Sequence, residues 1–175
     1  MLDRMKAALV AGLLAVPAWA HGPTPQEASR QVEIAAPAET VWEILKDPAA
    51  LSDWHPQVAS ATLEGDGAGA KRTTELAGGS VLDGIDIVND GNMTTRWRLS
   101  GENREVIPVS FYTNTIVVTP NGAGAEVQWK ASFFRADTTN EPEESYSDAA
   151  AVTFMEQYIQ DGLNGLKEQA EAAGS

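Results

Sequence analysis

One segment of this chain repeats with a helical period, and it comes after a long run of segments that repeat with a period of two. From Asp148 to Ala170, the residues Val152, Met155, Ile159, Leu163 and Leu166 step by three, four, four and three. That spacing puts them on one face of a single long helix. Phe154 and Tyr158 widen the apolar side. So broad a face needs a broad surface to lie on. The preceding segments supply one, because they alternate as half-buried antiparallel strands do. In Met93–Ser100, Met93, Thr95, Trp97 and Leu99 fall on one face, and Thr94, Arg96 and Arg98 on the other. In Ala125–Arg135, Val127, Trp129, Ala131 and Phe133 oppose Glu126, Gln128 and Lys130.

Turn chemistry separates these strands. Gly65-Asp66-Gly67-Ala68-Gly69 ends a strand over Val58–Glu64. Gly78-Gly79 and Asp90-Gly91 mark hairpins, and Pro120-Asn121-Gly122 joins Val109–Thr119 to Ala125–Arg135. Further strands are expected at Lys71–Leu76 and Ser80–Asn89. Asp137–Ser147 is a polar loop. The start of the fold is different again. Val32-Glu33-Ile34 alternates, Ala36-Pro37-Ala38 turns the chain, and Glu39–Lys46 predicts a helix with Val41, Trp42 and Leu45 on one face. Asp47-Pro48 closes that helix, because the residue before a proline avoids helical geometry. A short second turn then carries Leu51 and Trp54 into His55-Pro56.

The order strand, helix, short helix, Trp-His-Pro, several strands and one long helix resembles the START/Bet v 1-like superfamily, often labelled polyketide cyclase/dehydrase (SRPBCC). The resemblance implies an α+β helix-grip fold, a curved antiparallel sheet wrapped round a long C-terminal helix. It also implies a cavity for an apolar ligand between the two. Trp54, His55, Met93, Trp97, Phe111, Trp129, Phe133, Met155 and Ile159 are the candidate lining; the same aromatic and thioether set, with Tyr112, could equally be packed core.

The first twenty residues read as an export signal. Arg4 and Lys6 precede an apolar run from Ala7 to Val16, too short to span a bilayer, and Ala18-Trp19-Ala20 is a cleavage motif. The expected layout is therefore a signal peptide over 1–20, a flexible arm over 21–29 and one domain over 30–171, exported to the periplasm without a membrane anchor. The formal net charge is −13. Cleavage after Ala20 removes Arg4, Lys6 and Asp3 and makes the chain more acidic by one unit. Nucleic acid and anionic lipid would be repelled. There is no cysteine, which excludes thiolate metal sites, Fe–S clusters and thiol catalysis.

A finer resemblance runs along the whole mature chain. His21-Gly22-Pro23-Thr24-Pro25-Gln26, Trp54-His55-Pro56, Gly69-Ala70-Lys71-Arg72-Thr73, Pro108-Val109-Ser110, Asn140-Glu141-Pro142, Asp148-Ala149-Ala150-Ala151-Val152 and Asp161-Gly162-Leu163-Asn164-Gly165-Leu166-Lys167 are similar to the MxaD family. These are periplasmic accessory proteins of bacterial methanol oxidation. The resemblance implies a non-catalytic role beside methanol dehydrogenase, aiding electron transfer to its c-type cytochrome. Two rival readings are a carrier or sensor of a small apolar ligand and, behind it, a cyclase-like enzyme. The enzyme would need polar groups inside the sheet, and the inward faces read as mostly apolar.

Few residues offer chemistry of their own. His55 could be a polar group at a cavity mouth, able to exchange a proton near neutral pH, or a structural histidine beside a core Trp54. His21, once its amine is free, could bind copper through amine and imidazole. The carboxylates Asp47, Asp53, Asp66, Asp83, Asp86 and Asp90 have no calcium-loop spacing. No catalytic residue, metal site or cofactor is expected. Arg96 and Arg98 with Lys71 and Arg72 could form one basic patch or an ordinary solvated strand face. Glu141, Glu143 and Glu144, in the polar loop, are the candidate docking residues on a basic partner.

Overall fold

The computed structural model describes residues 22–174. The expected signal peptide and His21 lie outside the described residues. The elements are β1 (Gln26–Ile34), α1 (Ala38–Leu45), a 3-10 turn at Pro48–Ala50, α2 (Leu51–Trp54), β2 (Ser60–Glu64), β3 (Lys71–Leu76), β4 (Gly79–Asn89), β5 (Thr94–Gly101), β6 (Val109–Asn121), β7 (Gly124–Arg135), a 3-10 turn at Glu144–Tyr146, and α3 (Asp148–Ala173).

The strands form one seven-stranded sheet in the order β1-β7-β6-β5-β4-β3-β2. β2 to β7 follow one another as an antiparallel meander, each beside its neighbour in sequence. β1 adds to the outer edge of β7, with Gln26 opposite Phe133 and Ile34 opposite Ala125. Gln26–Ser29, expected within a flexible arm over 21–29, belong instead to β1. β7 is long enough to template them, and Ala28 is buried by the pairing. α1 and α2 carry the chain from the β1 edge to the β2 edge. Register slips in β4–β5 and in β6–β7 bend the sheet.

α3 lies in the concave face, packed on β1 and β7. Ser147 caps it by accepting from the Ala150 N–H, and Asp148 sits in its first turn, favourable to the helix dipole. Met155, Ile159, Leu163 and Leu166 are buried as the spacing predicts, with Ala151, Tyr158, Gly162 and Ala170 added; Val152 is half-buried. They meet Val127, Trp129, Phe133, Ile116, Trp97 and Ile85 from the sheet, and Val41, Trp42, Leu45 and Leu51 from the first helices. Trp42 also donates from Nε1 to Asp90 Oδ1 at 2.7 Å, which ties α1 to the β4–β5 hairpin.

Candidate functional site: the closed interior

The helix meets Trp54-His55-Pro56 at two glycines. A Cβ on Gly162 would stand 2.6 Å from Trp129 Cζ3 and 2.7 Å from His55 Cδ2. One on Gly165 would stand 2.0 Å from the Trp54 carbonyl oxygen. Three residues apart on one helix, the two glycines share a face. They let α3 settle on this corner with no side chain between. The motifs Trp54-His55-Pro56 and Asp161–Lys167, separate in the sequence, are therefore two halves of one contact.

His55 is 1 % exposed. Its ring lies 4.0 Å from the Tyr158 ring, centroid to centroid, and edge-on to Trp129 at 5.9 Å. Nδ1 accepts from the Gln57 N–H at 3.3 Å, so the proton of the neutral ring sits on Nε2. That Nε2 is buried without a hydrogen-bond partner among the described residues, although the Tyr158 carbonyl is near enough to attract its proton. Burial pushes the His55 pKa down to about 4, against the opposing pull of the Tyr158 carbonyl and Asp161. His55 is neutral at physiological pH and its ring is packed, and with Trp54, Pro56 and Asp161 it also lines a cleft of about 620 Å³ between α2 and α3.

A second group lies across the concave face, and here the sequence reading is corrected. Arg72, Thr74, Asp83 and Tyr112 all point inward and are buried. Asp83 Oδ2 accepts from Arg72 Nε (3.1 Å) and Nη2 (2.9 Å) and from Thr74 Oγ1 (3.1 Å). Its Oδ1 accepts a short hydrogen bond from the Tyr112 hydroxyl. Arg72 Nη1 donates to the Pro48 carbonyl at 3.1 Å, and the guanidinium lies over the Trp97 ring at 4.9 Å. Burial, reinforced by the Asp83 charge, raises the Tyr112 pKa well above its ordinary value. The inward faces are thus not uniformly apolar, and Arg72 belongs to no basic surface patch. Arg96 and Arg98 remain on the outer face and share Asp86. One signal could have found Asp83: Val81 and Ile85 share its parity, so burying them buries a carboxylate, which then needs a cation.

Between these two groups the space under α3 is nearly filled. A void of about 10 Å³ remains, lined by Leu76, Val81, Trp97, Ile107, Tyr112, Asn114, Phe154, Met155 and Tyr158. That is the room one water needs. Asn114 spends its Oδ1 on Trp129 Nε1 at 2.9 Å. Phe154 and Leu76 also line a groove of about 400 Å³ on the outside, with Pro56, Gln57 and Val106. Of the nine residues expected at a cavity, only Trp97 and Met155 line the void. Trp54 and His55 line the cleft between α2 and α3 instead; Trp129, Phe133 and Ile159 are buried in the core, and Met93 is half-buried at the β4–β5 turn. Phe111 is a plain correction: it stands in solvent on the other side of the sheet, 65 % exposed. Asn114, Phe154 and Tyr158 were not among the expected lining; strand parity with Tyr112 and Ile116 marks Asn114 as inward.

Glu141, Glu143 and Glu144 are exposed, in the loop that leads into α3. Among the described residues no three His, Asp or Glu side chains gather in a metal-binding group. No helix of the described residues is long and apolar enough to cross a membrane.

A sheet gripping one long helix, with an interior drawn almost shut, defines a helix-grip protein of the Bet v 1-like kind. The chain belongs to the polyketide cyclase/dehydrase and lipid transport family, whose model matches residues 25–171. No curated protein matches it in sequence. Among solved structures it is similar to the Zhui aromatase/cyclase of a Streptomyces species, with a TM-score of 0.71 at 18% identity over 87% of this chain and 99% of that one. It is similar to the protein XoxI of Bacillus cereus, with a TM-score of 0.68 at 20% identity over 82% of this chain and 94% of that one. Norcoclaurine synthase of Thalictrum flavum gives 0.65 at 13%, over 85% and 94%. At these identities the likeness is one of fold, and the fold carries both cyclases and synthases.

Proposed function

We propose that this chain is an exported, non-catalytic accessory protein of methanol oxidation, and that it works by docking on methanol dehydrogenase and its c-type cytochrome. The observation that supports the docking half is the filled space under α3, which has room for one water and none for a substrate, while the larger cleft at Trp54 and His55 opens on the surface. Export rests on Arg4, Lys6, the apolar run and Ala18-Trp19-Ala20. The choice of partner rests on the motif resemblance along the mature chain. An acidic protein, of net charge −13 before cleavage and one unit more acidic after it, that docks weakly uses charge mainly to steer encounter. The exposed Glu141, Glu143 and Glu144 are suited to face basic groups on the partner.

The test is binding of the purified protein to methanol dehydrogenase across a salt series, with cytochrome reduction rate as readout. Both should weaken as the screening length falls from about 8 Å at physiological ionic strength to about 3 Å at 1 M. Changing Glu141, Glu143 and Glu144 to Gln should flatten that dependence. Absence of binding at low salt refutes the proposal; binding with an unchanged salt slope refutes only the loop assignment.

One observation favours a second reading, a carrier of a small apolar ligand. Phe154 and Leu76 are common to the void and to the outer groove, so rotation of Phe154 would join the two. Native mass spectrometry of the purified protein decides: a retained ligand supports the carrier, and its absence in both the wild type and Phe154→Ala excludes it.

A further inference from the structure

Phe111 is the one large apolar side chain among the described residues that stands in solvent. Its place in the strand makes that exposure costly. The register of β6 against β7 slips by one residue between Ser110 and Thr113, and at this bulge Phe111 takes φ +50. That is left-handed backbone, unfavourable for a bulky residue and free to glycine. The neighbours are held firmly. Ser110 Oγ donates to the Arg135 carbonyl at 2.8 Å, and Tyr112 turns inward to Asp83. The residue between them is aimed outward, where Phe134 of β7 meets it edge to face, ring centroids 6.3 Å apart. An aromatic ring with an unfavourable backbone, 65 % exposed and with one supporting ring, adds little to the fold that glycine would not.

The surroundings give the partner's chemistry. Two loops flank this end of the sheet. The loop from β5 to β6 exposes Glu102 and Glu105, and the loop from β7 to α3 exposes Glu141, Glu143 and Glu144. The Arg104 guanidinium over the Tyr146 ring, at 5.5 Å, joins the two loops. Arg135 is spent inside, donating to the Asp137 and Thr139 carbonyls and to Asp148 Oδ2. Arg135 is thus buried and Arg104, though exposed, lies over Tyr146, so the two loops present five exposed glutamates against one exposed arginine.

Resting on the docking reading above, we infer that Phe111, braced by Phe134, is the anchor with which the protein enters an apolar pocket rimmed by basic side chains on its partner. The glutamates steer the approach, and the ring holds the complex once formed.

The test compares the full chain with Phe111→Gly and Phe134→Ala, measuring binding kinetics on methanol dehydrogenase, melting temperature and sedimentation. Glycine accepts the φ of this position, so Phe111→Gly should melt at or above the wild-type temperature while leaving the partner at least tenfold faster. Phe134→Ala should give a smaller change in the same off-rate. Changing Glu102 and Glu105 to Gln should slow association and leave the off-rate alone. Wild type that binds and Phe111→Gly that leaves no faster would overturn the anchor and spare the docking reading. Wild type that does not bind at low salt sinks the docking reading itself. A wild-type dimer that Phe111→Gly converts to monomer would move the pocket onto a second copy and overturn the partner assignment.

Discussion

Trp129 on β7 and Phe111 on β6 are aromatic residues on adjacent strands, and they are held in opposite ways. Trp129 is wholly buried. It meets Trp54, His55, Trp97 and Tyr158 edge-on, donates its N–H to Asn114, and lies against the bare backbone of Gly162. Every atom of it has a neighbour, and burial of this kind is what stabilises a core. Phe111 has one neighbouring ring and an unfavourable backbone. Stability accounts for the first residue and gives no reason to keep the second. The comparison separates what holds this protein together from what it presents to others.

Four changes would break or sharpen that contrast. The largest effect is expected from Ile159→Asp, which buries an unpaired charge beneath the sheet. It should cost about 4 kcal/mol or more, and an unchanged melting curve would remove α3 from the core. Acid comes next. The folded His55 binds its proton only near pH 4, whereas in the unfolded chain it does so near its ordinary value of 6.5. The unfolded state therefore binds more protons between those values, and stability falls as pH drops from about 6.5 to 4, by roughly 3 kcal/mol from this one group. Denaturant titrations at pH 7 and pH 4.5 should show the loss, and His55→Gln should abolish that part of it. Gly162→Ala should cost about 2 kcal/mol by forcing Trp129 and His55 apart, read as a lower denaturation midpoint with an unchanged slope. The smallest effect belongs to the outer face. Phe134→Ala should change stability by less than about 1 kcal/mol, since it removes one exposed ring pair. A larger loss would make the outer aromatics a second core and erase the distinction.

Much of the scaffold could be read along the chain. The inward residues of β5 and β7 and the buried stripe of α3 follow from period and parity, because one face of each element must leave water. The polar interior could not be read the same way. Lys71-Arg72-Thr73-Thr74 has no apolar member to set its parity, so nothing local says that Arg72 faces Asp83 rather than solvent. Phe111 failed for a different reason. Ser110-Phe111-Tyr112 offers two adjacent aromatics, and parity with Asn114, Ile116 and Val118 turns Tyr112 inward and Phe111 outward; aromatic size is no guide to the face, and only the bulge against β7, a property of the pair of strands, sets the left-handed backbone of Phe111.

By itself, then, the sequence determined the order of the elements, the helix that the sheet must grip and the acidic character of the surface. Each of these depends on neighbours in the chain or on sums over it. Tertiary structure alone decided that Gly162 and Gly165 would receive Trp54 and His55, that Arg72 would be neutralised by Asp83, and that the interior would close to a single water's volume. Those outcomes depend on how closely surfaces remote in sequence approach one another. A single methyl group at Gly162 or Gly165 would already clash, and no local pattern encodes that distance.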